Sequence, residues 1–336
     1  MSRVYDALQK SQSENPSASP LAESQPEPVL GEAAAVAAAA AVVTDVPEDV
    51  SAPPTTFPAS APDIPTATPT DGKWLNVPAD RVLHPQPVPE QRLVSIAEPK
   101  SPGAEMFRVL STRLAHMRRK RRLQKLLITS SEGDEGKSVV AANLAFSLAR
   151  RPNERILLIE ADLRRPSATT LLTNSSLRGI SEWSEGQLAL EDSLYRVNDL
   201  PLWFLSAGHA IEEPMHLLES DRFARMLETV SASFDWVLLD ATPMLPMADS
   251  TSLSRLCDGV LVVVREGYTR RKVLNKALAS IEKHKLVGMV LNQASMLKIG
   301  FDRYYGSKNG KPKKEIKEGS NKEATEEGNK VKAATA

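Results

Sequence analysis

Thr129–Ser138 reads TSSEGDEGKS, entered from the apolar run Leu126-Leu127-Ile128 and left into the apolar-periodic residues Val139, Val140, Leu144, Phe146 and Leu148. A strand, a glycine-containing loop and a helix start, in that order, form a cradle for phosphate. Backbone N–H groups of the loop and the positive end of the helix face the anion, a lysine reaches the β- and γ-phosphates, and the following hydroxyl suits Mg²⁺. Lys137 and Ser138 hold those two positions, so the stretch predicts nucleoside triphosphate binding. The usual first glycine of the pattern is here Ser131.

Two carboxylate motifs follow, each closing an apolar run. Ile156–Pro166 (ILLIEADLRRP) carries Glu160 and Asp162 on either side of Ala161, which puts both carboxylates on one side of an extended chain. Trp236–Pro243 (WVLLDATP) brings Asp240 to a strand end. In an open parallel sheet the ligand crevice lies beyond the carboxyl ends of the strands. Carboxylates beside a Mg·triphosphate hold the metal, and one can accept a proton from an attacking hydroxyl. An aspartate after a strand is otherwise a turn or cap residue. The three motifs together favour the functional reading.

The same runs, with Val260–Val264, Met289–Leu291 and a weaker Leu202–Leu205, read as strands buried on both faces between helical patterns. They predict an α/β fold of the P-loop NTPase class, with a mostly parallel sheet covered by helices on both faces. Ser101-Pro102 predicts a helix start, with Phe107, Leu110, Leu114 and Met117 forming its buried stripe.

These residues resemble the bacterial tyrosine autokinases of capsule and exopolysaccharide synthesis, relatives of the MinD/ParA P-loop ATPases. The likeness rests on TSSEGDEGKS, ILLIEADLRRP and FDWVLLDATPML, on Asn143-Leu144-Ala145, on LSAGHAIEEPMHLL and on the late strands Gly259–Arg265 and Gly288–Asn292, and it covers roughly residues 93–306. It implies a Mg·ATP-dependent protein-tyrosine kinase with Lys137, Glu160, Asp162 and Asp240 as the catalytic groups. It implies nucleotide binding by Gly133, Asp134, Glu135, Gly136, Lys137, Ser138, Val139 and Asn292, and Mg²⁺ binding by Ser138, Asp162 and Asp240. Asn292 is equally readable as a turn residue. Glu160 stands where the family has aspartate, the candidate base for the tyrosine hydroxyl. The position that carries the signature lysine of the positioning ATPases is Glu132 here, which disfavours that rival.

Further expectations concern assembly. Glu105 and Arg108 match a family pattern that pairs subunits in a ring, implying a homo-oligomer, although the third position is Ser111; the other reading is a solvated ion pair. Tyr304 and Tyr305 are what this chain has of the family's phosphoacceptor cluster. Residues 1–11, where Val4, Tyr5 and Leu8 share a helical face, predict a short amphipathic helix docking on a membrane-embedded polysaccharide co-polymerase. The alternative is a nucleotide-gated, ATP-binding assembly factor without tyrosine kinase activity, kept open by Glu160, Ser111 and the two-tyrosine remnant.

Composition assigns the rest. Residues 12–92, rich in Pro, Ala, Ser, Thr and Glu, read as a disordered linker, with a transiently helical run at 33–43; residues 307–336, alternating Lys and Glu, read as a disordered tail. The kinase domain is expected over 93–306. No apolar run reaches the roughly 20 residues that span a bilayer, and no signal-peptide core is visible, so a cytoplasmic chain recruited to the inner face of the membrane is expected. The cluster Arg118–Arg122 with Lys125 lacks interleaved aromatic residues, and the chain carries 42 basic and 42 acidic residues, which disfavours nucleic acid. Cys257 reads as a core residue, and the 5 histidines have no metal-ligand spacing.

Overall fold

The apolar runs form a sheet, and the burial of alternate residues shows why they read as continuous. In the computed structural model, which describes residues 41–43, 75–86 and 92–294, the strands are β1 (Ala41–Val43), β2 (Val82–Leu83), β3 (Lys125–Ser130), β4 (Ile156–Glu160), β5 (Leu194–Val197), β6 (Leu202–Leu205), β7 (Trp236–Asp240), β8 (Gly259–Arg265) and β9 (Leu286–Asn292). Leu126, Ile128, Ile156, Leu158 and Leu238 enter one core layer; Leu127, Leu157, Ile159, Val237 and Leu239 enter the other. With both faces covered, the middles of these strands are continuously apolar, and polar residues fall mostly at their ends.

The sheet runs β1-β9-β8-β3-β7-β4-β6-β5-β2. The six strands from β9 to β6 are parallel to their neighbours, while β1 pairs antiparallel with β9 and β5 antiparallel with β6. This is the expected α/β architecture. Because β7 lies between β3 and β4, the three motif-bearing strands are adjacent. In register, Asp240 stands beside Ile128 on one side and Glu160 on the other.

One layer is closed by α1 (Val94–Ala97), α2 (Pro102–Lys120) and α3 (Lys137–Ala149). Ser101 caps α2, its Oγ accepting from Ala104 N at 3.2 Å, and Pro102 takes the first turn, where a missing N–H costs nothing. Phe107, Leu110 and Leu114 are buried and Met117 packs at the edge of the same cluster, as the stripe predicts. Burying Phe107 alone is worth about 2–3 kcal/mol. Asn143 ties the segment before α2 to α3: Oδ1 accepts from Ser95 N at 2.9 Å and Nδ2 donates to Arg92 O at 3.0 Å. The other layer is covered chiefly by α7 (Asp221–Ser231), α8 (Asp249–Leu256) and α9 (Arg271–Ala279), with Phe223, Met226, Leu227, Leu253 and Ala277 buried. Three short helices, α4 (Ala168–Leu172), α5 (Ile180–Ser184) and α6 (Met215–Leu218), lie in the connections.

The linker boundary needs correction. Within 12–92, residues 75–86 pack onto the domain: β2 extends the sheet beyond β5, Leu83 is buried, and Arg81 donates to Glu191 O at 2.8 Å and pairs with Asp192 at 3.3 Å. Two apolar residues among prolines give no periodicity, so this edge was invisible in the sequence. The alanine-rich run read as helical ends in β1, a strand. The docking segment 1–11, the tail 307–336, Tyr304 and Tyr305 lie outside the described residues. Among the described residues no helix is long and apolar enough to cross a membrane.

Four of the six residues of the basic cluster are paired within the fold, while Arg119 and Lys120 are exposed. Arg118 pairs with Asp235 at 3.7 Å and stacks on Trp236, Arg121 donates to His284 O at 2.8 Å, Arg122 pairs with Asp258 at 3.4 Å, and Lys125 with Glu228. Cys257 is buried, which pushes its thiol up to about 12 and leaves it inert.

Candidate active site

The loop between β3 and α3 turns through Gly136, whose φ of +87° is left-handed. A Cβ there would sit 2.2 Å from Asn292 Nδ2; glycine meets both constraints at once. Gly136 N-caps α3 without a side chain, so the first amides of a largely buried helix point outward unpaired by any cap. Val139 sits in the first turn.

The loop is braced by its own carboxylate. Glu135 is buried and accepts from Ser131 N at 2.6 Å and Glu132 N at 3.0 Å, while the Thr269 hydroxyl donates to its other oxygen. Burial, offset by these bonds, raises its pKa. Two strand ends hold the loop from the side: Arg265 donates to Asp134 O at 3.2 Å, and Asn292 Nδ2 donates to Glu135 O at 2.9 Å. Asn292 Oδ1 accepts from Gln293 N at 3.0 Å. Asn292, expected among the nucleotide-binding residues, is thus engaged in fixing the loop. Gly133 and Asp134 form the outer lip, with nothing near the Gly133 Cα where a side chain would be.

Lys137 reaches inward and pairs with Asp162 at 2.9 Å. Burial opposes its charge, but Asp240, Asp162 and Glu160 outweigh that and raise its pKa. The other Asp162 oxygen accepts from Arg165 N at 3.0 Å. Asp240 is fully buried and neither carboxylate oxygen has a hydrogen-bond partner. Burial pushes it up to about 6, with Lys137 and the nearby Ser138 hydroxyl opposing and Glu160 and Asp162 adding to the shift. A buried carboxylate without donors is costly on its own and suits a cation. Ser138 Oγ lies nearby, hydrogen-bonded to Ser167 Oγ at 2.7 Å. The donor set therefore fits Mg²⁺. Among the described residues no three His, Cys, Asp or Glu side chains converge to hold an ion by themselves.

Glu160 departs from the role expected of it. Its carboxylate is buried at the end of β4 and accepts three hydrogen bonds: Thr169 N at 3.0 Å, Thr169 Oγ1 at 2.6 Å and Ala207 N at 3.2 Å. Two backbone amides and one hydroxyl thus hold both of its oxygens. The extra methylene of Glu over Asp provides the reach to Thr169.

The Leu-Arg-Arg-Pro turn is pinned by Arg164, which is bidentate on Asp249 at 2.6 and 3.2 Å and also donates to Glu212 O. Asp249 is buried at the start of α8, and this planar pairing raises the Arg164 pKa. Glu105 and Arg108 form an i,i+3 pair at 2.7 Å, and Arg108 also donates to Pro99 O at 2.7 Å. Ser111, the third position of the ring pattern, is buried against α3, where its hydroxyl donates to Arg108 O at 2.9 Å and accepts from Ser147 Oγ at 3.3 Å.

Sequence reasoning missed Ser167, Thr169 and Thr269. Ser167 follows directly on Leu-Arg-Arg-Pro and precedes Ala-Thr-Thr-Leu-Leu, a helix-start signal that marked the position without revealing its partner.

Known proteins resemble this arrangement. The AAA domain family model matches residues 124–287. Tyrosine-protein kinase YwqD of Bacillus subtilis is 30% identical over 221 residues, 65% of this chain and 93% of the relative. Succinoglycan biosynthesis transport protein ExoP of Rhizobium meliloti is 31% identical over 220 residues, 63% of this chain but 28% of ExoP. The solved kinase domain of the Escherichia coli tyrosine kinase ETK superposes with a TM-score of 0.55 at 27% identity, covering 59% of this chain and 78% of that one.

Proposed function

Since the chain belongs to the bacterial tyrosine-kinase family of capsule and exopolysaccharide synthesis, we propose that it is a Mg·ATP-dependent protein-tyrosine autokinase that regulates polysaccharide polymerisation or export with a membrane co-polymerase. The observation that carries this reading is the pair of unpartnered Asp240 oxygens beside the Lys137–Asp162 pair, below the left-handed Gly136.

In this reading the loop amides and the α3 N-terminus hold the β-phosphate, and Lys137 leaves Asp162 to neutralise the β- and γ-phosphates. Ser138, Asp162 and Asp240 hold Mg²⁺, which supplies charge neutralisation at the phosphates. Glu135, Thr269 and Asn292 keep the loop open to receive them. Once Lys137 turns to phosphate, the Asp162 oxygen it leaves is free for the metal, the other still held by Arg165 N. Residues 93–306 are the catalytic unit, with 75–86 packed on its edge; Tyr304 and Tyr305 are the acceptors, Glu105 and Arg108 a subunit contact, and residues 1–11 the docking segment that brings the chain to the inner membrane face.

The hydrogen-bonded state of Glu160 favours a second reading, a nucleotide-gated assembly factor that binds ATP without phosphorylating tyrosine. Incubating the full chain with Mg·ATP, with and without the cytoplasmic tails of membrane co-polymerases, and mapping phosphotyrosine by mass spectrometry separates the two. The kinase reading expects label that rises with the activating tail; intact nucleotide binding with no label under any condition leaves the assembly factor.

A further inference from the structure

Ser167 occupies the N-cap position of α4, yet its side chain makes no capping hydrogen bond. A serine there normally accepts from the amide two or three residues on. The nearer of these, Thr169 N, is taken by Glu160 Oε1 at 3.0 Å, and the Thr169 hydroxyl donates to Glu160 Oε2 at 2.6 Å. Glu160 also accepts from Ala207 N at 3.2 Å, and Thr169 Oγ1 is 3.1 Å from Ser206 Oγ. One buried carboxylate therefore caps the helix in place of its own N-cap residue and fastens it to the end of β6. The hydroxyl released from capping lies 2.7 Å from Ser138 Oγ.

We infer that Glu160, through Thr169, is a positioning residue that frees the Ser167 hydroxyl to orient Ser138 at the metal site. A hydroxyl has one hydrogen and two lone pairs. When Ser138 gives a lone pair to a cation, its hydrogen needs an acceptor, and Ser167 Oγ, in hydrogen-bond contact, can take it and spare Asp240. Asp240 then keeps both oxygens for the cation, as their lack of hydrogen bonds allows. The length of Glu matters: an aspartate at 160 would withdraw the carboxylate from Thr169, return Thr169 N to Ser167, and break the contact with Ser138.

This inference rests on the Mg·nucleotide reading of the site, and its test keeps the two apart. Calorimetric titration of the full chain with ADP, repeated across Mg²⁺ concentrations, gives the metal-free affinity and the Mg²⁺ midpoint without any turnover. Ser167→Ala and Glu160→Asp are each expected to raise the midpoint about 10-fold, the usual cost of losing a partner that orients a metal ligand, while leaving metal-free affinity unchanged. Ser167→Thr restores the midpoint, and the Ser167→Ala/Glu160→Asp double variant is no worse than either single one, because both break the same chain. An unchanged midpoint in Ser167→Ala, or an equal fall in metal-free and Mg²⁺-dependent affinity, overturns the inference. A Lys137→Met control that loses ADP binding shows that the nucleotide reading survives that result; if it binds like wild type, the nucleotide reading fails and the inference with it.

Discussion

Asp240→Asn offers a perturbation whose sign changes with the ligand. Burial raises the Asp240 pKa from an ordinary 3.8 to about 6. The folded chain thus holds a proton that the unfolded chain has released across about pH 4 to 6, and stability of the ligand-free protein falls as pH rises through that window. At 1.36 kcal/mol per pH unit, the cost of keeping Asp240 ionised is about 3 kcal/mol above pH 6. Asparagine removes the charge at nearly constant volume and keeps the burial, while Lys137 retains Asp162. The measurement is urea unfolding of wild type and Asp240→Asn without ligand from pH 4.5 to 7.5. The variant is expected to gain on wild type as pH rises, by up to about 3 kcal/mol. With saturating Mg·ADP the order reverses, since the ligand uses the ionised carboxylate. A stability difference that does not move with pH would refute the reasoning, because it would mean that Asp240 is not held as an unpartnered buried acid.

Lys137→Met is expected to abolish nucleotide binding by calorimetry while leaving a folded chain, since the triphosphate loses its most direct cation; undiminished Mg·ATP affinity would remove the loop from the account. Gly136→Ala forces a side chain into a left-handed φ and against Asn292; a loss of about 2 kcal/mol in thermal unfolding is expected, with nucleotide affinity falling alongside, and a neutral outcome would contradict the bracing role of Asn292. Deleting residues 1–10 leaves ATP binding intact and lowers membrane recruitment in cells, measured by fractionation; full recruitment would end the docking role.

The strand ends were legible because they are local: an apolar run closing in Asp240, or in Glu160 and Asp162, names both the strand and the side of the sheet its carboxylates reach. Gly136-Lys137-Ser138 was legible for the same reason. What escaped depends on contacts between distant segments. Nothing in the sequence told that Glu160 would be spent on Thr169 and Ala207, because the motif gives the residue's place but not the reach of its side chain. Asn292 could be placed at a strand end, yet its bond to Glu135 O follows from β9 and the loop meeting across 157 positions. Residues 75–86 escaped because an edge strand of two residues carries no period. Ser111 looked like a missing ring contact, whereas its burial between α2 and α3 shows that this face of α2 belongs to the core.

The most direct test of the account divides the site from the acceptors. A Tyr304→Phe/Tyr305→Phe chain keeps the nucleotide site and lacks the acceptors; a Lys137→Met chain keeps the acceptors and lacks the site. Mixed with Mg·ATP and an activating co-polymerase tail, and resolved by mass spectrometry, the pair is expected to yield phosphotyrosine on Tyr304 and Tyr305 of the Lys137→Met chain, with neither chain labelled alone. Absence of phosphotyrosine in the mixture and in wild type, while wild type binds Mg·ATP, would contradict the claim that this site transfers phosphate to tyrosine.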